Sequence, residues 1–139
     1  MKKIIILFLV GILFAQAEGE GLAQDFPSRP VEIIIPFPPG GALDAVFRVV
    51  QSPLAAALGV PVILTTKSGA AGAMGTDQVA KAKPDGYTLL AGTSSSLLVA
   101  VAVNPAITYK HEDFTPIYLL ASDPVLICSL PDQPWKNLD

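Results

Sequence analysis

The sequence predicts an α/β fold built on a parallel sheet. Three observations carry that expectation. Val31-Glu32-Ile33-Ile34-Ile35 is a nearly continuous apolar run, the pattern of a strand buried on both faces. Strand-like and helix-like stretches then alternate in the order β-α-β-α-β, which calls for parallel strands joined by crossover helices. Finally, each of three loops rich in glycine or small hydroxyls follows directly after a strand-like run. In such sheets, ligands gather beyond the carboxyl ends of the strands.

The chain opens on a segment that has to be set aside from the fold. Of its 139 residues 51% are hydrophobic and the mean hydropathy is +0.52, high for a soluble domain. Lys2 and Lys3 precede the apolar stretch Ile4 to Ala15, which has the length of a signal-peptide core and is short for a bilayer span. Ala15-Gln16-Ala17 and Gly21-Leu22-Ala23 both place small residues at cleavage spacing. The polar, turn-like residues that follow favour cleavage after Ala23. Residues 1–23 are therefore expected to be a signal peptide and 24–139 the exported part, with a retained membrane anchor as the alternative. No cysteine lies near either cleavage site, so a lipoprotein anchor is not supported.

Removing that segment takes Lys2, Lys3, Glu18 and Glu20 from 9 basic and 12 acidic residues and leaves the net charge at −3. No basic stripe is present, so nucleic acid is not an expected partner. An anionic ligand would have to be held by local donors. The single cysteine, Cys128, follows Val125-Leu126-Ile127 and is expected to be a buried, inert thiol. With one cysteine no intrachain disulfide can form.

The elements follow in order. Val31 to Ile35 is the first strand, and Pro36-Phe37-Pro38-Pro39-Gly40-Gly41 turns it into a helix. Val46, Val49, Val50, Leu54, Ala57 and Leu58 recur at helical spacing and are expected to face the core. Pro53 should kink this helix or start its second segment, and Gly59 is a good stop. Val60 to Thr65 is the second strand, with Pro61 near its start. The small-residue loop 68–75 leads to Thr76, a candidate cap for a short helix reaching Lys81. Lys83-Pro84-Asp85-Gly86 is a turn, and Tyr87 to Ala91 the third strand. Gly92-Thr93-Ser94-Ser95-Ser96 is a hydroxyl-rich turn before Leu97 to Val103, where helix and strand are both open. Phe114 to Leu120 and Val125 to Leu130 read as further strands, and Pro134 onward as the opening of a helix.

The loops 36–44, 67–75 and 92–96 thus fall at one edge of the sheet. Gly40 and Gly41 let the backbone approach a ligand, and free N–H groups at a helix start attract anions. The prolines stiffen that approach, and Asp44 would either cap the helix or accept from a ligand donor. Neither a Walker A loop nor a dinucleotide fingerprint is present, since Gly69, Gly72 and Gly75 are spaced three apart. The serine cluster lacks the closing glycine of a nucleophile elbow. His111, the only histidine, stands in a polar stretch with no evident partner, so it reads as a surface residue rather than a general base. No catalytic residue, metal site or cofactor is expected.

"FPSRPVEIIIPFPPGGALD", "SGAAGAMGTDQVAKAKPDGYTLLAGTSSS" and "HEDFTPIYLLASDPVLI" together resemble the substrate-binding proteins of tripartite tricarboxylate transporters, the Bug family. The likeness runs in order from Phe26 to Asp139. It implies a periplasmic-binding-protein-like fold of type II, a two-domain Venus flytrap of which only the first part of domain 1 would be present. It further implies a periplasmic receptor that captures a small carboxylate solute and delivers it to the membrane permease subunits of a transporter. Carried onto matching positions, the ligand-binding residues would be Phe37, Gly40, Gly41 and Asp44 in the first loop, Ala71 and Gly72 in the second, and Thr93, Ser94 and Ser95 in the third.

The sequence departs from the family pattern where Leu43 replaces a usual polar residue and where Ala71 replaces a loop glycine, which would limit positive φ there. It is also less than half the usual length, so the chain is expected to be an N-terminal fragment whose site is open to water and whose exposed sheet edge lowers solubility. Two rival readings remain at this point. One is an exported α/β hydrolase fragment using Ser94 or Ser95; the other is a degenerate piece without a ligand.

Overall fold

A computed structural model describes residues 26–122 together with 124, 126 and 128. Its elements are β1 (Val31–Ile35), α1 (Ala42–Leu58), β2 (Val62–Thr66), a 3₁₀ turn (Ala70–Gly72), α2 (Ala73–Ala80) and β3 (Thr88–Leu90). A π-helical turn (Ser95–Val99) then runs into α3 (Ala100–Val103), and a second 3₁₀ turn spans His111–Asp113. The three strands form one parallel sheet in the order β2-β1-β3. The register pairs Val31 with Val62 and Ile35 with Thr66 on one side, and Glu32 with Thr88 and Ile34 with Leu90 on the other.

The central place of β1 explains its composition. A middle strand of a covered parallel sheet meets apolar neighbours above and below, and Ile33, Ile34 and Ile35 are 3%, 0% and 0% exposed. Ile33 and Ile35 share a cluster with Val62 and Ala91, packed by Leu43, Phe47, Leu54, Ala55 and Leu58 of α1. Ile34 alternates to the opposite face, and α2 contacts both β1 and β3.

The core face of α1 therefore differs from the expected one. Leu54 and Leu58 do pack inward, whereas Val49 is 79% exposed and Ala57 also faces out. Leu43 and Phe47 take the inward positions, because the larger side chains fill the space over Ile33 and Ile35. Pro53 sits inside the helix without ending it. Both Pro53 and Val49 are exposed, so water can serve the carbonyl that the missing proline N–H leaves open. Gly59, with φ +71°, closes the helix as expected and donates to the Ala55 carbonyl at 3.0 Å.

Other expectations are corrected at the element ends. The second helix starts at Ala73, and Thr76 lies inside it rather than capping it. Thr76 is fully buried and its hydroxyl donates to the Gly72 carbonyl at 2.9 Å, a bond back along the helix. Residues 97–103 are helical. No strand forms over Phe114 to Leu120, whose Ile117, Tyr118 and Leu119 are 76%, 82% and 77% exposed. A strand needs a neighbour for its backbone groups, and among the described residues none pairs with this stretch. Val125 to Leu130 lies in large part outside the described residues, as do the expected signal peptide and the helix opening at Pro134. Cys128 is exposed, contrary to the expectation of a buried thiol, because no described element covers it.

Candidate functional site

The three loops leave the sheet from adjacent points. The Ile35 carbonyl accepts from the Lys67 N–H at 2.8 Å, and the Ile34 carbonyl from the Ala91 N–H at 2.9 Å. These bonds prolong the ladder to the carboxyl ends of the strands, so the chain departs into all three loops at one edge.

Gly72 is where the loops meet. A Cβ added there would lie 2.9 Å from the Ser96 Cβ and 3.1 Å from Phe37 Cζ. Phe37 belongs to the first loop, Gly72 to the second, and Ser96 to the end of the third, where it passes into the helical turn. Close packing of three loops onto one residue requires that residue to lack a side chain. Its φ of +92° demands the same. Gly75, one turn on, is held between the Lys67 carbonyl and Pro36, which a Cβ would approach to 2.8 and 3.0 Å.

The second loop is more strained than the sequence suggested. Gly69, Ala70, Ala71 and Gly72 all have positive φ, with Ala70 at 49° and Ala71 at 55°. Ala71 was expected to resist that region. It adopts it nonetheless, at a cost of about 1–2 kcal/mol for a residue with a Cβ.

The first loop uses its donors unevenly. Gly41 is the N-cap of α1, and the Gly40 N–H is bonded to Asp44 Oδ2 at 2.9 Å. Asp44 thus turns back from the first helical turn instead of capping from in front, and it removes Gly40 from the pool of free donors. The N–H groups of Gly41, Ala42 and Leu43 find no acceptor among the described residues. They are the orphan donors of a helix start and carry its positive end.

Asp44 is 3% exposed and its carboxylate would oppose an anion at that helix start. Arg48 offsets it, with Nε 2.8 Å from Oδ2 one turn further on. The Arg48 hydrogen bond, followed by that from Gly40, holds the Asp44 carboxyl below its ordinary value against the opposing effect of burial. The Asp44 contact in turn raises Arg48. Oδ1 of Asp44 is buried with no partner among the described residues.

In the third loop, Thr93 and Ser96 form a closed set. The Ser96 hydroxyl donates to the Thr93 carbonyl at 3.2 Å and accepts from the Thr93 N–H at 3.2 Å. The Thr93 hydroxyl accepts from the Ser96 N–H at 3.2 Å. Ser94 and Ser95 between them are exposed, and their side-chain hydroxyls have no hydrogen-bond partner among the described residues. Tyr109 closes the set from below, donating its phenol to the Ser96 carbonyl at 2.6 Å. Burial pushes the Tyr109 phenol up, with Thr76 drawing it partly back, so at neutral pH it is a donor.

The site residues expected from the sequence are therefore brought together at one edge. Phe37, Gly72 and Thr93 are linked directly or through Ser96, and Gly40, Gly41 and Asp44 form the adjoining helix start. Ala71 is exposed beside Gly72. Arg48, Ser96 and Tyr109 were not among those residues. Arg48 stands four residues after Asp44, a spacing that signals a helical ion pair. Ser96 stands in a run of three serines, and burial alone sets it apart. His111, by contrast, is exposed and lies 3.1 Å from Glu112, and among the described residues no hydrogen bond joins it to Ser94 or Ser95. A cavity of about 290 Å³ lined by Met74, Asp77, Lys81, Ile107 and Thr108 lies beside α2. It shares Ala70 with the second loop but includes neither Phe37 nor any residue of the third.

A parallel sheet whose loops pack together beyond the carboxyl ends of its strands is the arrangement in which open α/β proteins commonly place a ligand. The comparisons narrow this class. The family model described as "Tripartite tricarboxylate transporter family receptor" matches residues 46–139, and the chain belongs to that family. It is 38% identical over 138 residues to Protein BugT of Bordetella pertussis, covering 96% of this chain and 42% of that protein. A protein encoded between tcbD and tcbE in Pseudomonas sp. strain P51 is 35% identical, with 94% of this chain and 40% of that one covered. The chain thus spans about two fifths of the length of these relatives. Among solved structures, MatC from Rhodopseudomonas palustris with bound malate matches with a TM-score of 0.65 at 40% identity, over 68% of this chain and 33% of MatC. A structure described as a periplasmic transporter matches with a TM-score of 0.60 at 39% identity, over 62% of this chain and 29% of that one.

Proposed function

We propose that this chain forms part of the N-terminal lobe of an extracytoplasmic receptor for a small carboxylate. The observation that carries the reading is the meeting of Phe37, Gly72 and Ser96. It gathers the unpaired N–H groups at the start of α1 and the free hydroxyls of Ser94 and Ser95 around one edge. Backbone amides and small hydroxyls can bind a carboxylate without a cationic side chain. Arg48 supports this by balancing the Asp44 charge beside the helix start. In this reading Phe37 and Gly72 shape the pocket wall, Ala71 and Gly41 offer backbone donors, Ser94 and Ser95 offer hydroxyls, and Thr93, whose own hydroxyl is bonded to Ser96, holds the loop that presents them. Gly40 and Asp44 fix the turn.

The family and the malate bound to MatC support a carboxylate as the solute class. Residues 1–23 act as a cleaved signal peptide that sends the chain to the periplasm, and the solute passes to the membrane permease subunits of a tripartite transporter. Titration of the ¹⁵N-labelled chain with malate tests the binding reading. Chemical-shift changes confined to residues 41–43, 71–72 and 93–95 are expected. Changes spread evenly, or none with malate or any other small carboxylate, would overturn it. Mass determination of the exported protein tests the cleavage after Ala23.

A further inference from the structure

The third loop contains two exposed serines between two residues locked together, and the lock is anchored from outside the loop. Ser96 is fully buried while its neighbours Ser94 and Ser95 are exposed. Its hydroxyl and N–H hold Thr93, its carbonyl takes the Tyr109 phenol at 2.6 Å, and its Cβ is the atom nearest to the open face of Gly72. Three separate parts of the chain therefore converge on this residue: the second loop, the third loop and the return segment before Lys110.

The helical turn starting here is wide, with the Ala100 N–H donating to the Ser95 carbonyl five residues back. Turns of this kind fit poorly into a regular helix and persist where other contacts hold them. Tyr109 supplies such a contact. It is 3% exposed, packs with Ala73 and Ala100, and stands edge-on to Phe114 with ring centres 6.0 Å apart. Its phenol is thus fixed by packing before it fixes Ser96.

We infer that Tyr109 and Ser96 are positioning residues for the solute carboxylate. Tyr109 touches no ligand. It fixes the Ser96 carbonyl, Ser96 fixes Thr93, and the Ser94 and Ser95 donors are thereby held in one geometry against the second loop. The inference rests on the proposed carboxylate site and assigns that site its supporting layer.

The test uses the full 139-residue chain, ¹⁵N-labelled, with malate as the probe. Tyr109→Phe keeps the ring and removes the hydroxyl. Ser96→Ala keeps the carbonyl bond to Tyr109 and the N–H bond to Thr93, and removes the bonds that the Ser96 hydroxyl makes to Thr93. Thr65→Val is the matched control, since it removes a hydroxyl that is bonded to Glu32 at 2.6 Å within the sheet and makes no bond to any of the three loops. Tyr109→Phe and Ser96→Ala should each weaken malate binding by about three- to tenfold, the scale of one lost hydrogen bond. Both should shift the Ser94 and Ser95 amide resonances without ligand. Thr65→Val, with a similar loss of stability, should bind as the parent does. A folded Tyr109→Phe that binds malate like the parent would overturn the inference, as would an equal loss in Thr65→Val. Should Tyr109→Phe not fold, Ser96→Ala decides by the same criteria. Should the parent itself show no malate response, the carboxylate reading fails. The ligand-free Ser94 and Ser95 shifts then still decide whether the lock exists, and unmoved resonances would sink it.

Discussion

Gly72 and Ser96 pack so closely that a Cβ on the glycine would fall 2.9 Å from the serine Cβ. Gly40 offers a useful contrast. Its φ of +83° is as left-handed as the +92° of Gly72, yet nothing lies within 4 Å of where its Cβ would stand. The two glycines separate conformational strain from crowding. Gly40→Ala should cost about 1 kcal/mol, the strain alone. Gly72→Ala should cost about 2–5 kcal/mol, because displacement of Phe37 and Ser96 adds to the strain. Urea denaturation of both variants checks this. Equal losses would mean that the loops are not packed on Gly72.

The left-handed alanines allow a prediction of opposite sign. Ala71→Gly relieves about 1–2 kcal/mol of strain at φ +55° and returns part of it through the greater freedom of the unfolded chain. A net gain of about 0.5–1 kcal/mol is expected. The same change at Ala56, exposed inside α1, should instead lose about 1 kcal/mol. Thermal melting of the pair reads the two signs directly, and a loss in both would remove the case for strain in the second loop.

Asp44 gives the fold a pH dependence of known direction. Its folded-state carboxyl is held below the ordinary 3.8 by Arg48 and Gly40. Above that ordinary value the carboxyl is ionised in both folded and unfolded chains, and its stabilisation is fully present. As the pH falls from there through the folded-state value, the unfolded chain takes up its proton first and the stabilisation is lost. Asp44→Asn should therefore flatten the fall in urea midpoint below about pH 4. Parallel curves for the two proteins would show that the Arg48 contact does not form in solution.

How much of this was legible in the sequence depends on how many alternatives each residue had. The β-branched run Ile33-Ile34-Ile35, bounded by Pro30 and Pro36, matches a strand covered on both faces, and the sheet followed from it. The loop positions followed from the strand ends. The inward face of α1 did not, because Val46, Val49 and Ala57 form an apolar stripe as regular as Leu43, Phe47 and Leu54. Only the surface of β1 selects between them. Ser94, Ser95 and Ser96 are chemically alike, so their division into donors and lock had to come from burial. The strand expected over Phe114 to Leu120 rested on composition, and composition does not supply a pairing partner.

That same stretch carries the last prediction. Ile117, Tyr118, Leu119 and Leu120 are exposed in sequence, and among the described residues β2 and β3 stand at the edges of the sheet with no strand paired outside them. Exposed apolar segments and open sheet edges both favour association with other copies. The double change Ile117→Lys and Leu119→Lys puts charge on side chains that are 76% and 77% exposed. Since these side chains contribute little packing, stability should stay within about 0.5 kcal/mol of the parent. Self-association should fall, because two ammonium groups would have to be desolvated or brought together in any apolar contact. Light scattering at matched concentration reads the second effect and urea denaturation the first. A large loss of stability without a change in scattering would mean that these residues pack inside the fold, and the stretch would then have to be redrawn as part of its core.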